Sequence, residues 1–155
     1  MAGRVSALST YDRIAGTLSG KYAEGAALLV ARIALAGVFW RSGRTKVIDG
    51  SWLEISDTTR FLFETEYSGA PLPASLAAPL ATYAEHLFPI LLVLGLFTRL
   101  SALALLGMTL VIQFFVYPEA WWAVHIVWVA LAAVLISRGG GMLSLDAAFR
   151  HWRRP

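Results

Sequence analysis

The sequence predicts an all-α integral membrane protein, a four-helix bundle with short amphipathic interfacial helices. Three observations carry this. Of 155 residues, 57% are hydrophobic and 15% charged, with a mean hydropathy of +0.63, whereas soluble domains carry about 25% charged residues. Apolar runs of helix length recur at residues 25–46, 76–97, 100–117 and 120–137, and a span needs ~20 mostly apolar residues. Between them lie helix breakers: Gly69, Pro71 and Pro73, then Pro118, then the glycines at 139–141.

Composition also excludes several function classes. There is no cysteine, so disulfides, dithiol redox chemistry and thiolate metal sites are ruled out. The net charge of +3 comes from tails and loops. No basic stripe interleaved with aromatics marks a nucleic-acid surface. The length fits one compact domain, divided into an N-terminal segment (1–24), the four-span domain (25–138) and a C-terminal tail (139–155).

In chain order, Val5, Leu8, Tyr11, Ile14, Leu18 and Tyr22 recur at three- or four-residue spacing, with Arg4, Arg13 and Lys21 on other faces. That pattern is an amphipathic helix lying in the membrane interface; a frayed tail is the alternative. The polar start is too long for a signal peptide, and no small-residue cleavage site follows an apolar core. Span one holds Arg32 and runs into a basic end at Arg41, Arg44 and Lys46, as expected of a long, tilted helix. The loop at 47–75 is predicted to contain a short helix capped by Ser56 or Asp57 and running through Glu66. Its Trp52, Phe61 and Phe63 are expected to pack back on the bundle, and loops of this length often bind or cover a site. Ser75 is placed to cap span two, and Pro89 inside that span is expected to kink it. After span four, Ser144 caps a short amphipathic segment that includes Phe149 and Trp152.

Lys and Arg counts set the orientation. Four spans put both termini on one side, with Arg4, Arg13, Lys21, Arg99, Arg138, Arg150, Arg153 and Arg154. The other side has Arg41, Arg44, Lys46 and Arg60. Both ends are therefore expected in the cytoplasm of a bacterial inner-membrane protein, and the long loop outside.

Inside the membrane the polar groups are few. A charged group there costs at least ~2.5 kcal/mol on insertion scales and usually faces a partner or a cavity. Counting ~1.5 Å per residue from the predicted inner ends puts Glu85, Gln113 and His125 at ~20 Å, Arg41 at ~24 Å and Arg32 at ~10 Å. These residues, with His86 and Trp128, form the candidate ligand site. Glu85 and His125 are the candidates for proton exchange, with Arg32 or Arg41 as the partner of Glu85; no catalytic residue is assigned. Each has a plainer reading: a structural ion pair at Glu85, interhelical glue at Gln113, a satisfied core histidine at His125. His86, ~100° around the helix from Glu85, is expected to pack against lipid headgroups or a neighbouring subunit. Glu85, His86 and His125 have no metal-ligand spacing, and no metal is expected.

Several segments are similar to the DoxX family. Arg32 followed by Phe39-Trp-Arg-Ser-Gly-Arg-Thr-Lys46 resembles its first-helix signature. Glu85 followed by Leu94-Gly-Leu-Phe-Thr-Arg-Leu100 resembles the second, and Arg138-Gly-Gly-Gly-Met-Leu-Ser-Leu-Asp146 its closing segment. The likeness covers roughly residues 26–149, with the motifs in order. Trp52, Leu62-Phe-Glu-Thr-Glu-Tyr67 and His125-Ile-Val-Trp128 resemble one subgroup, often encoded beside metal-responsive peptide systems. The resemblance implies a four-helix inner-membrane protein associated with thiosulfate:quinone oxidoreduction, quinol oxidase complexes or other membrane redox assemblies. It implies no covalently bound cofactor, and a quinone as the ligand to consider. Partners would be lipid, membrane or periplasmic proteins, or further copies of the chain. A scaffold or small-solute carrier is the competing reading, since the chain has no electron-carrying group of its own.

Overall fold

A computed structural model describes residues 10–12, 15–17 and 19–152. Val5, Leu8, Ile14 and Leu18 of the N-terminal stripe lie outside the described residues, as do Arg4, Arg13, Arg153 and Arg154. Among the described residues, four helices are long and apolar enough to cross a membrane. Here α1 is Lys21–Thr45, α3 Ala74–Leu94, α4 Thr98–Phe115 and α5 Pro118–Arg138. Short helices accompany them, among them α2 (Asp57–Glu64) in the long loop and α6 (Leu145–Trp152) after the last span. The chain is a multi-pass membrane four-helix bundle. Its two ends are called here the termini end and the loop end.

The core follows from spacing. On α1, Gly25, Leu28, Arg32, Leu35, Ala36, Phe39 and Gly43 are buried, at the three- and four-residue intervals that define one helical face. They meet Leu92 of α3, Ala102 and Leu105 of α4, and Ala132 and Leu135 of α5. Outward-facing Val30, Ile33, Leu80, Leu87, Leu103, Val127 and Val134 are exposed, an apolar exterior suited to lipid. Lipid tails match these side chains in polarity, so close packing between small residues holds such helices together. Ala36, Ala102 and Ala132, all nearly inaccessible, supply it.

The termini end is tied by polar contacts. Helix α3 ends at Gly95, in the left-handed region at φ 67. The Leu96 N–H donates back to the Leu91 carbonyl and the Gly95 N–H to Leu92, a glycine-terminated helix end. The next helix starts without a side-chain cap of its own. Asp146 supplies it: its carboxylate accepts from the Phe97 and Thr98 N–H groups, both at 2.9 Å. Its own N–H donates to the Gly95 carbonyl at 2.9 Å. Glu24 and Arg138 pair across α1 and α5 at 2.5 Å.

The loop differs from expectation in detail. Ser56 caps α2 by accepting from the Thr59 N–H at 3.2 Å, but the helix ends at Glu64 rather than Glu66. Of the three aromatics expected to pack back, Phe63 is buried, while Trp52 and Phe61 are 69% and 63% exposed. Trp52 lies against Trp40 and the Arg44 guanidinium, an arrangement suited to the aromatic belt of a membrane interface. Span two begins at Ala74, after Pro73, whose carbonyl accepts from the Leu76 and Ala77 N–H groups, with no cap from Ser75.

Candidate functional site

Glu85, on α3, is 2% exposed. Its carboxylate accepts from the Lys46 ammonium at 2.7 Å. Lys46 curls back one turn and also donates to the Ser42 hydroxyl at 2.8 Å and the Ser42 carbonyl at 3.4 Å. The partner of Glu85 is therefore neither Arg32 nor Arg41. Arg41 is exposed on the opposite face of α1. Arg32 is fully buried at the termini end, where it donates to the carbonyls of Leu92 (3.2 Å), Val93 (3.4 Å) and Leu143. Side-chain direction explains the discrepancy. Long side chains lean toward the N-terminus of their own helix, and α1 and α3 run in opposite directions. Glu85 leans toward the loop end and Lys46 leans down to meet it, while Arg32 leans away. Depth counted from backbone rise alone misses this.

His86 does not face lipid or a neighbouring subunit. It is 4% exposed and turned toward α1. Its Nδ1–H donates to the Thr82 carbonyl at 2.7 Å, and its ring lies edge-on to Trp40 at 5.2 Å. Gly43 allows the approach, since a Cβ there would stand 3.0 Å from the imidazole and 3.1 Å from Glu85 Cβ. Its Nε2 is buried with no hydrogen-bond partner.

Gln113 and His125 meet, as their shared depth predicts. The Pro118 carbonyl can only accept, so the Gln113 amide nitrogen donates to it, at 2.8 Å. That leaves the amide oxygen to accept from His125 Nδ1–H at 2.7 Å. His125 closes a π-helical segment, Trp121–His125, a wide turn of a kind frequent at functional sites. Trp128, one turn on, packs against the His125 ring at 5.0 Å and Phe39 at 5.7 Å.

Lys46, Glu85, His125 and Trp128 border a cavity of about 420 Å³ in the loop-end half of the bundle. All four spans line it. Ser42 and Lys46 come from α1, and Ala81, Ala84 and Glu85 from α3. Gly107, Met108 and Val111 come from α4, and His125 and Trp128 from α5. Phe63, Tyr67 and Leu72 from the long loop close the top. Tyr117 fastens that cover by donating to the Glu66 carboxylate at 3.0 Å, 3.4 Å from the Tyr67 hydroxyl. The Tyr67 hydroxyl, burial and the Glu66 carboxylate all raise the Tyr117 pKa far above the usual phenol range. Gln113, Arg32, Arg41 and His86 do not line the cavity; Glu85, His125 and Trp128 do. Ser42, Lys46, Tyr67 and Tyr117 are members that sequence reasoning passed over. Among the described residues, no three His, Cys, Asp or Glu side chains gather in reach of one metal ion.

Residues 27–118, more than half the chain, match the family model described as DoxX. The chain belongs to the DoxX family. It is also 32% identical over 143 residues to an uncharacterized protein of Haemophilus influenzae, covering 82% of this chain and 85% of that one. No solved structure matches. The DoxX signatures that the sequence carries divide between the two ends of the bundle. Arg32, Gly95 and Asp146 build the termini-end tie, and Ser42, Gly43, Lys46 and Glu85 build the wall of the cavity.

Proposed function

We propose that this DoxX protein holds a lipid-soluble ligand of the quinone class in the loop-end cavity and serves as an accessory subunit of a membrane redox assembly. The observation that supports it is the cavity itself. Its volume of about 420 Å³ lies within the ~300–1,000 Å³ of small-molecule sites, which are mostly apolar with a few placed polar groups. Ala81, Ala84, Gly107 and Met108 give an apolar flank between α3 and α4, and Lys46–Glu85 and His125 give polar groups at its walls. A quinone, when bound, would supply the electron-accepting chemistry. The chain's own part is to exclude water, orient the ring against Trp128, and hold protons at the Glu85 carboxylate and His125 Nε2. With no cysteine, electrons on this reading come from a partner protein.

Mass spectrometry of protein purified in mild detergent tests it. The native chain is expected to carry a bound quinone-class molecule, in either redox form, and Gly107→Leu to lose most of it without losing stability. A Cβ at Gly107 meets nothing within 4 Å, and a helical glycine replaced by leucine gains up to ~1 kcal/mol of helix propensity. Such molecules at the same lipid-background level in both would refute the reading and leave the scaffold or carrier reading in its place.

A further inference from the structure

Hydrogen-bond polarity inside the cavity points to one redox form of the ligand. A lysine ammonium has three N–H donors and no acceptor. Those of Lys46 face three acceptors: the Glu85 carboxylate, the Ser42 hydroxyl and the Ser42 carbonyl. No N–H of Lys46 is left for a ligand. A carboxylate offers about four lone-pair sites. Lys46 takes one at 2.7 Å, and the Ser42 hydroxyl stands beside the same carboxyl, so Glu85 keeps free acceptor sites on the cavity wall. His125 has the same polarity. The Pro118 carbonyl fixes the Gln113 amide, the amide fixes Nδ1 as the protonated nitrogen, and neutral imidazole then presents Nε2 as an acceptor. The phenol proton of Tyr117 is spent on Glu66. Acceptors line opposite walls of the cavity, on α3 and α5, and the cationic donor is already saturated.

We propose that the cavity is selective for a hydroxyl-bearing aromatic, the hydroquinone form of the ligand, over the carbonyl-bearing quinone. The proposal rests on the quinone-class reading of the cavity above. A hydroquinone brings two O–H donors to two waiting acceptors. A quinone brings two carbonyl acceptors, which would face Glu85 and Nε2 unpaired, and an unpaired buried polar group is costly. The indole N–H of Trp128 and the hydroxyl of Tyr67, which also line the cavity, are the donors that could serve a carbonyl instead, and the test includes both.

The test measures binding of three probes to the full chain in lipid nanodiscs under argon, by titration calorimetry: a decyl-tailed benzoquinone, its hydroquinone, and the dimethyl ether of that hydroquinone. The hydroquinone is expected to bind at least about tenfold more tightly than the other two, the scale of one charge-assisted hydrogen bond. In Glu85→Gln, which replaces the free carboxylate oxygen by an amide able to donate, the preference should shrink or reverse. Equal or tighter binding of the quinone by the native chain overturns the inference while leaving the cavity a quinone-class site. Quinone binding that is tight and falls in Trp128→Phe or in Tyr67→Phe overturns it in favour of that donor as reader. Binding of none of the three probes overturns the inference and the underlying reading together. The native-chain ratio decides the matter even where a variant fails to fold.

Discussion

Lys46→Met should destabilise the protein more than Glu85→Gln, and the two together should cost less than their sum. The asymmetry comes from exposure. The Glu85 side chain is 3% exposed and that of Lys46 14%. Removing the lysine strands a carboxylate with no route to water. Removing the glutamate leaves an ammonium that keeps both Ser42 acceptors and can extend to the loop-end surface. Breaking a buried pair costs ~3–5 kcal/mol. The partial exposure of Lys46 puts Lys46→Met near the lower limit, about 3 kcal/mol, and Glu85→Gln at about 1–2 kcal/mol, the cost of a lost charge-assisted bond. At about 2–4 °C per kcal/mol for a chain of this size, Lys46→Met should unfold roughly 6–12 °C lower. The double variant buries two neutral groups and should show a coupling of about 2–3 kcal/mol. Arg32→Gln is the control. Arg32 sits on Leu92, Val93 and Leu143, so it should add to Glu85→Gln within ~0.5 kcal/mol. The assay is thermal unfolding of the purified variants in one detergent, followed by tryptophan fluorescence. Additive Lys46 and Glu85 effects, or strong coupling of Glu85 to Arg32, would refute the pairing.

Three further outcomes are expected. Asp146→Ala removes the acceptor for two N–H groups at the start of α4 and should cost about 1–2 kcal/mol, with Asp146→Asn milder in the same thermal assay. Gly95→Ala should impair folding badly, because φ is 67 there and a Cβ would run into the Arg32 guanidinium and Ser144. Gly37→Ala, where a Cβ meets nothing within 4 Å, should be neutral or stabilising by up to ~1 kcal/mol; comparable expression of the two would contradict the packing described. Single cysteines at Ser68 and Ala148, both exposed, report orientation in intact cells: an impermeant thiol reagent should label the first alone, and labelling at Ala148 would invert the topology.

The four spans were legible because composition and length decide them almost alone. Gln113 with His125 was legible as well, since depth from helix rise is reliable for side chains reaching sideways between neighbouring helices. The partner of Glu85 was not. Arg32 is closer to mid-span by counting, but the lean of side chains toward helix N-termini separates it from Glu85 and brings Lys46 down instead. The i, i+4 pair Ser42 and Lys46 was the available signal. His86 was misplaced because adjacency to Glu85 suggested a different face, while Gly43 lets α1 approach closely enough to cover both residues. Tyr67 and Tyr117 were invisible for another reason: their contact joins segments fifty residues apart, and no local pattern announces it.

The tie at the termini end sets how this bundle can move. Arg32 places a cation on the carbonyls that finish α3, and Asp146 an anion on the amides that begin α4, so the two opposed helix dipoles of that hairpin are clamped at their common corner. Toward the far end the same helices line the cavity, and the Tyr117 hydroxyl bridges to the loop covering it. The hairpin is thus built like tweezers. With arms of ~27 Å, the length of an 18-residue helix, a rocking of ~5° about the clamp parts the tips by ~2 Å. At Gly107, about nine residues from the clamp, the same rocking amounts to ~1 Å, beside the cavity that Ala84 and Gly107 both line.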